Sequence, residues 1–370
     1  MKIGIETHHV EKEGSGNCTY MKNLIRNFAV IDDRNEYILY CTDKSYPFYE
    51  EIRKLNKNFK IVELKVKNLF LKIPFYLGIK TFKDNIDVLH TVYFCPIISR
   101  AKRVITIHDI LPAIAPQYFS PFEVFKHKFA LKFFIKKADK IITVSNWSKV
   151  SIIKYFKLNK NKIAKIYNGV SAEFVIIDKK NKSDVLKKFQ INEPYIYYIG
   201  RLDSRKNLEN LIKVFSEVIY NNKSLSLVIA GKENKYSESL NNLVSEYGLK
   251  EKVKFVGQVS LEDNIALLNF SRLFIYPSFC EGFGLPILEA MACGCPVITS
   301  RGSALEEVAG DSALLIDPND RVEMRNAIIN ILENEKLRIN FIERGRERIK
   351  EFTWEFCAKE TIKIYESLSK

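Results

Sequence analysis

Short apolar runs alternate with stretches whose apolar residues recur every three or four positions, and the alternation occurs twice along the chain. KIGIE at 2–6 reads as a strand, and a glycine-bearing loop at 14–16 then opens an amphipathic helix from 17 to 30. EYILYC, KIVEL, VLHT, RVITIHD and KIITVS continue as short strands, with helical stretches near 47–56, 70–83 and 121–138 between them. Residues 171–193 break the rhythm: they are polar and aperiodic apart from a short helix at DVLKKF, and they read as a linker. A second series follows, with strands YIYYIG, SLVIAG, KVKFVG, LFIYPS, PVITS and ALLID. Its helices are expected at 207–220, 237–247, 261–270, 286–293 and 303–309, and the chain is helical from 321 onward. β-branched strands separated by helices imply parallel sheets covered on both faces. The expected fold class is therefore α/β, with two Rossmann-like domains at 1–170 and 194–353 facing each other across a cleft. Ligands belong there, beyond the carboxyl ends of the strands.

A length of 370 residues suits two domains better than one core, and 46% hydrophobic with 28% charged residues is ordinary for a soluble folded chain. MKIGIETHHV lacks the apolar run of a secretory signal, and no window reaches the roughly 18 apolar residues of a spanning helix. A cytoplasmic protein is expected. Cys18, Cys41, Cys95, Cys280, Cys293, Cys295 and Cys357 are odd in number and lack CxxC spacing, which predicts reduced thiols rather than disulfides or a zinc site. The net charge of +14 is unevenly spread. Residues 1–170 hold 30 lysines and arginines against 15 acids, whereas 171–370 hold 28 against 29. A basic first half fits an anionic partner: a membrane surface, a nucleic acid or a phosphorylated substrate. Lysine-rich genome composition is the plain alternative, but it leaves the neutral second half unexplained.

The most informative segment is PSFCEGFGLPILEAMACGCPVI at 277–298. Glu281 lies in a loop after a strand, Gly282 and Gly284 permit close ligand approach, and Pro286 suits the first position of a helix. The amides at that helix start are a natural place for a phosphate or for sugar oxygens. Glu289, expected on the first turn, follows Glu281 by eight residues. Two acids beside an anion site make sense as acceptors of hydroxyl hydrogen bonds, one from a sugar and one from a ribose. Without that context, a solvated loop acid and a dipole-matching helix acid would be the better reading.

In YYIGRLDSRKNLENL at 197–211, a buried strand ends at Gly200 and exposes Arg201, Arg205 and Lys206 before a helix. Arg201 and Lys206 could straddle one diphosphate, while simple solvation suits Arg205. His108-Asp109 follows an apolar strand and could meet sugar hydroxyls, although such a pair also often just ends a strand. GSGNCTY, with Gly16, lies too far from the first strand for a dinucleotide fingerprint. There is no D-x-D and no histidine metal motif, so no metal or other cofactor is expected.

EGFGLPILEAMACGCPVITS, GRLDSRKNLENL, TIHDILPAIAPQYF, ITVSNWSK, IYNGVSAEF and EVAGDSALLIDP together resemble retaining glycosyltransferases of family 4, which have the GT-B fold. Within that family the chain is similar to bacterial mannosyltransferases of O-antigen and capsule assembly. The resemblance implies that Glu281 binds donor-sugar hydroxyls and Glu289 the ribose diol. Arg201 and Lys206 would clamp the diphosphate, Gly284 and Leu285 would offer backbone amides, His108 would lie near the sugar, and Gly16 near the diphosphate and acceptor. It also implies that the helix at 354–370 packs back on the first domain. The reaction implied is transfer with retention from a nucleotide sugar, GDP-mannose or a UDP-sugar, to a glycan or lipid-linked acceptor. A phosphate oxygen of the leaving group would take the acceptor's proton. A nucleotide-sugar 2-epimerase on the same fold is the alternative enzyme, and few acids near His108 speak against it. A nucleic-acid-binding role lacks a recognisable module and leaves Glu281 and Glu289 unused.

In PFEVFKHKFALKFFIKK at 121–137, a helical wheel puts Val124, Leu131, Phe134 and Ile135 on one arc and Phe122, Phe125, Phe129 and Phe133 on another. Lys126, Lys128, Lys132, Lys136 and Lys137 flank the second arc. Phenylalanines rimmed by lysines fit the inner, anionic face of the cytoplasmic membrane, and packing of that stripe in the core is the competing reading. Residues 67–83 offer a second apolar and basic stretch.

Overall fold

Valine, isoleucine, tyrosine and phenylalanine fill the strand positions on both faces, so each strand must be covered above and below, and every strand pair is parallel. The computed structural model describes residues 1–368 except 13, 67, 69, 70, 179–181, 192 and 221. Parts of the expected linker and of the 67–83 stretch therefore lie outside the described residues. The chain divides into two compact units, Met1–Gly169 with Phe352–Lys370, and Val170–Glu351.

The first unit holds seven strands: β1 Lys2–Glu6, β2 Glu36–Cys41, β3 Phe59–Glu63, β4 Val88–Val92, β5 Lys102–Thr106, β6 Lys140–Thr143 and β7 Ile163–Lys165. Their order in the sheet is β3-β2-β1-β4-β5-β6-β7. The chain winds outward from β1 to one edge, returns, and winds outward from β4 to the other, so the order reverses between β1 and β4. In the second unit β8 Tyr195–Ile199, β9 Ser226–Ala230, β10 Val253–Gly257, β11 Leu273–Tyr276, β12 Val297–Ser300 and β13 Leu314–Ile316 lie in the order β10-β9-β8-β11-β12-β13. There the reversal falls between β8 and β11.

The strands and helices of the hydrophobic pattern are present, with two additions that it did not signal. The helix Asn146–Phe156 and the three-residue β7 complete the first unit. Neither has strong periodicity, and both are held by contacts distant in sequence. Residues 171–193 are not a free tether. The Asn269 side-chain amide donates to the Val175 carbonyl and accepts from the Ile177 N–H, each at 2.9 Å, and Lys188 pairs with Asp263 at 2.6 Å. All seven cysteines are free thiols.

The helix Trp354–Leu368 belongs to the first unit and packs on Gly16–Ile31. A buried polar chain anchors it. Tyr365 Oη lies 2.6 Å from His90 Nδ1, His90 Nε2 lies 2.7 Å from Thr106 Oγ1, and Tyr20 Oη reaches the same hydroxyl at 2.9 Å. Burial holds His90 at about 3, so the ring is neutral and needs a partner at each nitrogen. Gly169 is the close crossing where the chain leaves this unit: a Cβ there would sit 2.2 Å from the Trp354 nitrogen. Tyr365→Phe keeps the ring's packing but orphans His90 Nδ1. The expected cost is roughly 1–3 kcal/mol, read as a lower urea midpoint with an unchanged slope.

Candidate active site

At the β8–β11 reversal two loops leave neighbouring strand ends, 200–207 and 277–284. Their pairing is built into the backbone. Asn207 adopts φ +62°, and its side-chain amide donates to the carbonyls of Pro277 at 3.1 Å and Pro318 at 2.7 Å. The Phe279 N–H donates to the Arg205 carbonyl at 2.9 Å. These bonds fix which side chains converge.

Glu281 is the centre of that convergence. Its Oε1 accepts from Lys206 Nζ at 2.5 Å and from Arg205 Nη1 at 2.7 Å. Lys206 Nζ also donates to Tyr276 Oη at 2.5 Å and lies 4.7 Å from the centre of that ring. Arg205 is further tied to the Cys280 carbonyl at 2.8 Å. Burial by itself would raise the Glu281 carboxyl, but Lys206 and then Arg205 overcome it and hold the group at about 2. The carboxylate is thus ionised at every physiological pH. Both of these cation contacts are made to Oε1. With Asp203 3.9 Å from Arg205 and 3.5 Å from Arg201, three cations face two carboxylates and the cluster is net positive.

The sequence expectation that Arg201, Arg205 and Lys206 are all exposed holds for Arg201 alone, since Lys206 is buried like Arg205. Arg205, read there as a solvated loop residue, is buried and bonded to Glu281. Arg201 is the exposed one, with 77% of its side chain accessible. Four positions apart in the sequence, they differ because the turn Ser204–Lys206 folds Arg205 under the loop. Tyr276 carries no motif that marks it as a site residue. Its only signal was its place as the last residue of a strand otherwise made of Leu, Phe and Ile.

Gly284 caps the helix Leu285–Ala292 with φ +114°, and a Cβ there would meet Leu305 at 2.5 Å, so glycine is required twice over. Among the described residues no side chain caps this helix start, so none claims the Gly284 and Leu285 amides. Pro286 stands at the second helical position rather than the first, and Glu289 falls on the second turn rather than the first. Glu289 is partly buried, and among the described residues no hydrogen bond or ion pair reaches its carboxylate. Burial raises that group to about 7. The described residues bring no three His, Cys, Asp or Glu side chains together as metal ligands.

His108 and Gly16 lie in the first unit. His108 is buried after β5, edge-on to Tyr20 with ring centres 4.8 Å apart, and its Nε2 has no partner among the described residues. Burial lowers it to about 4, so the ring is neutral. Gly16 is the first residue of the helix Gly16–Ile31, behind Ser15, whose hydroxyl accepts from the Cys18 N–H. A Cβ on Gly16 would meet nothing within 4 Å.

Residues 178–348 match the family described as glycosyl transferases group 1, and residues 18–174 match glycosyltransferase family 4. The chain is 33% identical to the O-antigen chain mannosyltransferase B of Escherichia coli over 79% of its length and 76% of the relative's. Among solved structures, sucrose-phosphate synthase from Thermosynechococcus elongatus superposes with a TM-score of 0.79 at 22% identity, covering 100% of this chain and 99% of that one. The Anabaena protein HepE, solved with UDP and glucose, gives 0.77 at 19% identity over 99% and 100%. With two parallel Rossmann-like sheets and both domain families matched in order, the chain is a GT-B glycosyltransferase of family 4.

Proposed function

We propose that this enzyme transfers a hexose with retention from a nucleotide diphosphate sugar, GDP-mannose in the first instance, to a glycan or lipid-linked acceptor of surface polysaccharide synthesis. The observation that carries this reading is the Lys206–Glu281–Arg205 cluster beside an uncapped helix start. A leaving diphosphate needs positive charge as its bond to the sugar breaks. Lys206, Arg201 and the amides of Gly284 and Leu285 supply it at one strand edge, without a metal ion. Glu281 offers Oε2 to a sugar hydroxyl, and the unpaired Glu289 accepts from the ribose diol. As the sugar–oxygen bond to phosphate breaks, the acceptor oxygen bonds the same face of the anomeric carbon. The acceptor proton passes to a phosphate oxygen of the departing nucleotide. The Escherichia coli relative supports mannose, whereas the Anabaena structure with UDP and glucose supports a UDP-sugar as the second reading.

The first unit fits a membrane-borne acceptor. The run 121–137 forms one helix with a π turn at Lys126–Ala130 in its middle. Leu131, Phe134 and Ile135 enter the core and Val124 is half-buried. Phe122, Phe125, Phe129 and Phe133 are 43–63% exposed. Each phenylalanine left in water forgoes about 2 kcal/mol of burial, so four on one face suit a surface that is covered in use. Phe75, Ile79 and Phe82 of the 67–83 stretch are also exposed, and this unit carries the chain's excess positive charge. We read this face as seated on an anionic leaflet. No helix is long and apolar enough to cross a membrane among the described residues.

Calorimetric titration with GDP, UDP and ADP in EDTA tests the donor: GDP is expected to bind tightest, and Lys206→Ala should lower kcat on the order of 10²–10³-fold in the fraction that folds. Absence of binding by all three nucleotides refutes the reading. A second outcome follows from Glu289. The diol's hydroxyls donate to the ionised carboxylate, which is half-populated near its raised value of about 7. GDP-mannose affinity should therefore rise as pH increases through that value and then level off, and Glu289→Gln should weaken binding and flatten the profile. For the membrane face, flotation with vesicles rich in phosphatidylglycerol should carry the enzyme upward. Phe125→Ser with Phe129→Ser should release it, and equal flotation with purely zwitterionic vesicles would contradict the assignment.

A further inference from the structure

β11 reads Leu-Phe-Ile-Tyr, and a phenylalanine at its last position would fill the core as well as Tyr276 does. The hydroxyl is therefore the part of Tyr276 that packing does not explain. The ring that carries it is 3% exposed and clamped on the sheet. Phe274, two positions back on the same strand, stacks with it at 6.0 Å, the planes 17° apart. Tyr198 of the adjacent strand stacks with it at 5.7 Å and 15°. Tyr198 is itself tied down, donating from Oη to the Arg201 carbonyl at 3.0 Å. The Tyr276 hydroxyl is thus a fixed point, whereas a lysine ammonium on its four-carbon stem is not.

Lys206 brings three N–H donors to that point. One goes to Glu281 Oε1 and one to Tyr276 Oη, each at 2.5 Å. Nζ lies 4.7 Å from the centre of the ring, so the hydroxyl is the nearer contact. Two fixed acceptors set the direction of the third N–H, which a single acceptor would leave free to rotate. Glu281 cannot do this alone, because its Oε1 is shared with Arg205. The kind of second acceptor matters as much as its place. Another carboxylate would cancel the charge that a leaving diphosphate needs. A phenol is neutral: burial pushes Tyr276 well above its ordinary value, so it keeps its proton and accepts from the ammonium without offsetting it.

We propose that Tyr276 is a positioning residue for the transfer, its hydroxyl and Glu281 together aiming the third Lys206 N–H at the departing diphosphate. This rests on the transferase reading above and adds what holds the cation in line. The diphosphate gains charge as its bond to the sugar breaks, so the aim of Lys206 counts most in the transition state. Tyr276→Phe keeps the ring and the charge and removes only the acceptor. The assay is release of GDP from radiolabelled GDP-mannose in its slow transfer to water, expressed per titrated nucleotide site. The rate should fall roughly 10-fold in Tyr276→Phe, while GDP-mannose affinity should stay within about twofold of wild type. In Lys206→Ala the same substitution should change the rate by less than about twofold, whereas a merely structural role would cost as much in both backgrounds. A wild-type rate in Tyr276→Phe, an undiminished loss in the Lys206→Ala background, or donor affinity falling in step with the rate would each overturn the proposal. Where Tyr276→Phe does not fold, 3-fluorotyrosine at position 276 keeps nearly the same volume with a weaker acceptor oxygen. It should lower the rate about two- to fivefold, and an unchanged rate overturns the proposal. A wild type that neither binds a nucleotide nor releases GDP would instead overturn the transferase reading itself.

Discussion

One carboxylate oxygen shared by two buried cations organises the second unit. Glu281 is desolvated, which on its own would favour protonation, and Lys206 and Arg205 reverse that preference. Each member depends on the others: a buried lysine without the carboxylate, or the carboxylate without its cations, would be an uncompensated charge. The arrangement therefore holds its geometry while remaining net positive. Tyr276 completes it, taking a hydrogen bond from Lys206 at one end and offering it a ring face.

The same constraint explains why chemistry collects at strand-order reversals. Wherever the winding of a parallel sheet changes direction, the loops after two adjacent strands part and leave the strand ends uncovered. In the second unit those loops carry Lys206 and Glu281, and in the first they carry His8 and Tyr93. Each reversal contains a buried glutamate held by a partner on its own unit. In one the partners are permanent cations, suited to a leaving diphosphate. In the other the partner is the His8 imidazole.

Much of the architecture was legible in the linear pattern, because buried parallel strands are continuous apolar runs and their covering helices are periodic. β7 and the helix Asn146–Phe156 were not, since their stability comes from residues far away in sequence. The candidate acids and Lys206 could be read from EGFGLPILE and SRKN, where glycine positions and a helix start restrict what the backbone can do. Arg205 and Tyr276 could not. An arginine beside a loop looks solvated until the turn Ser204–Lys206 rotates it inward, and a strand-terminal tyrosine looks like core until a lysine reaches its hydroxyl. ETHH after β1 likewise has no motif value in one dimension.

The sequence by itself determined the sheet class, the two series of strands and helices, the uneven charge, and the family. These depend on local periodicity and composition, which each segment carries alone. Only the tertiary structure decided which cation is buried and which exposed, which carboxylate is held by cations and which is raised by burial, and which face of 121–137 meets water. Those outcomes depend on desolvation and on partners brought from other strands, and neither quantity exists until the chain has folded.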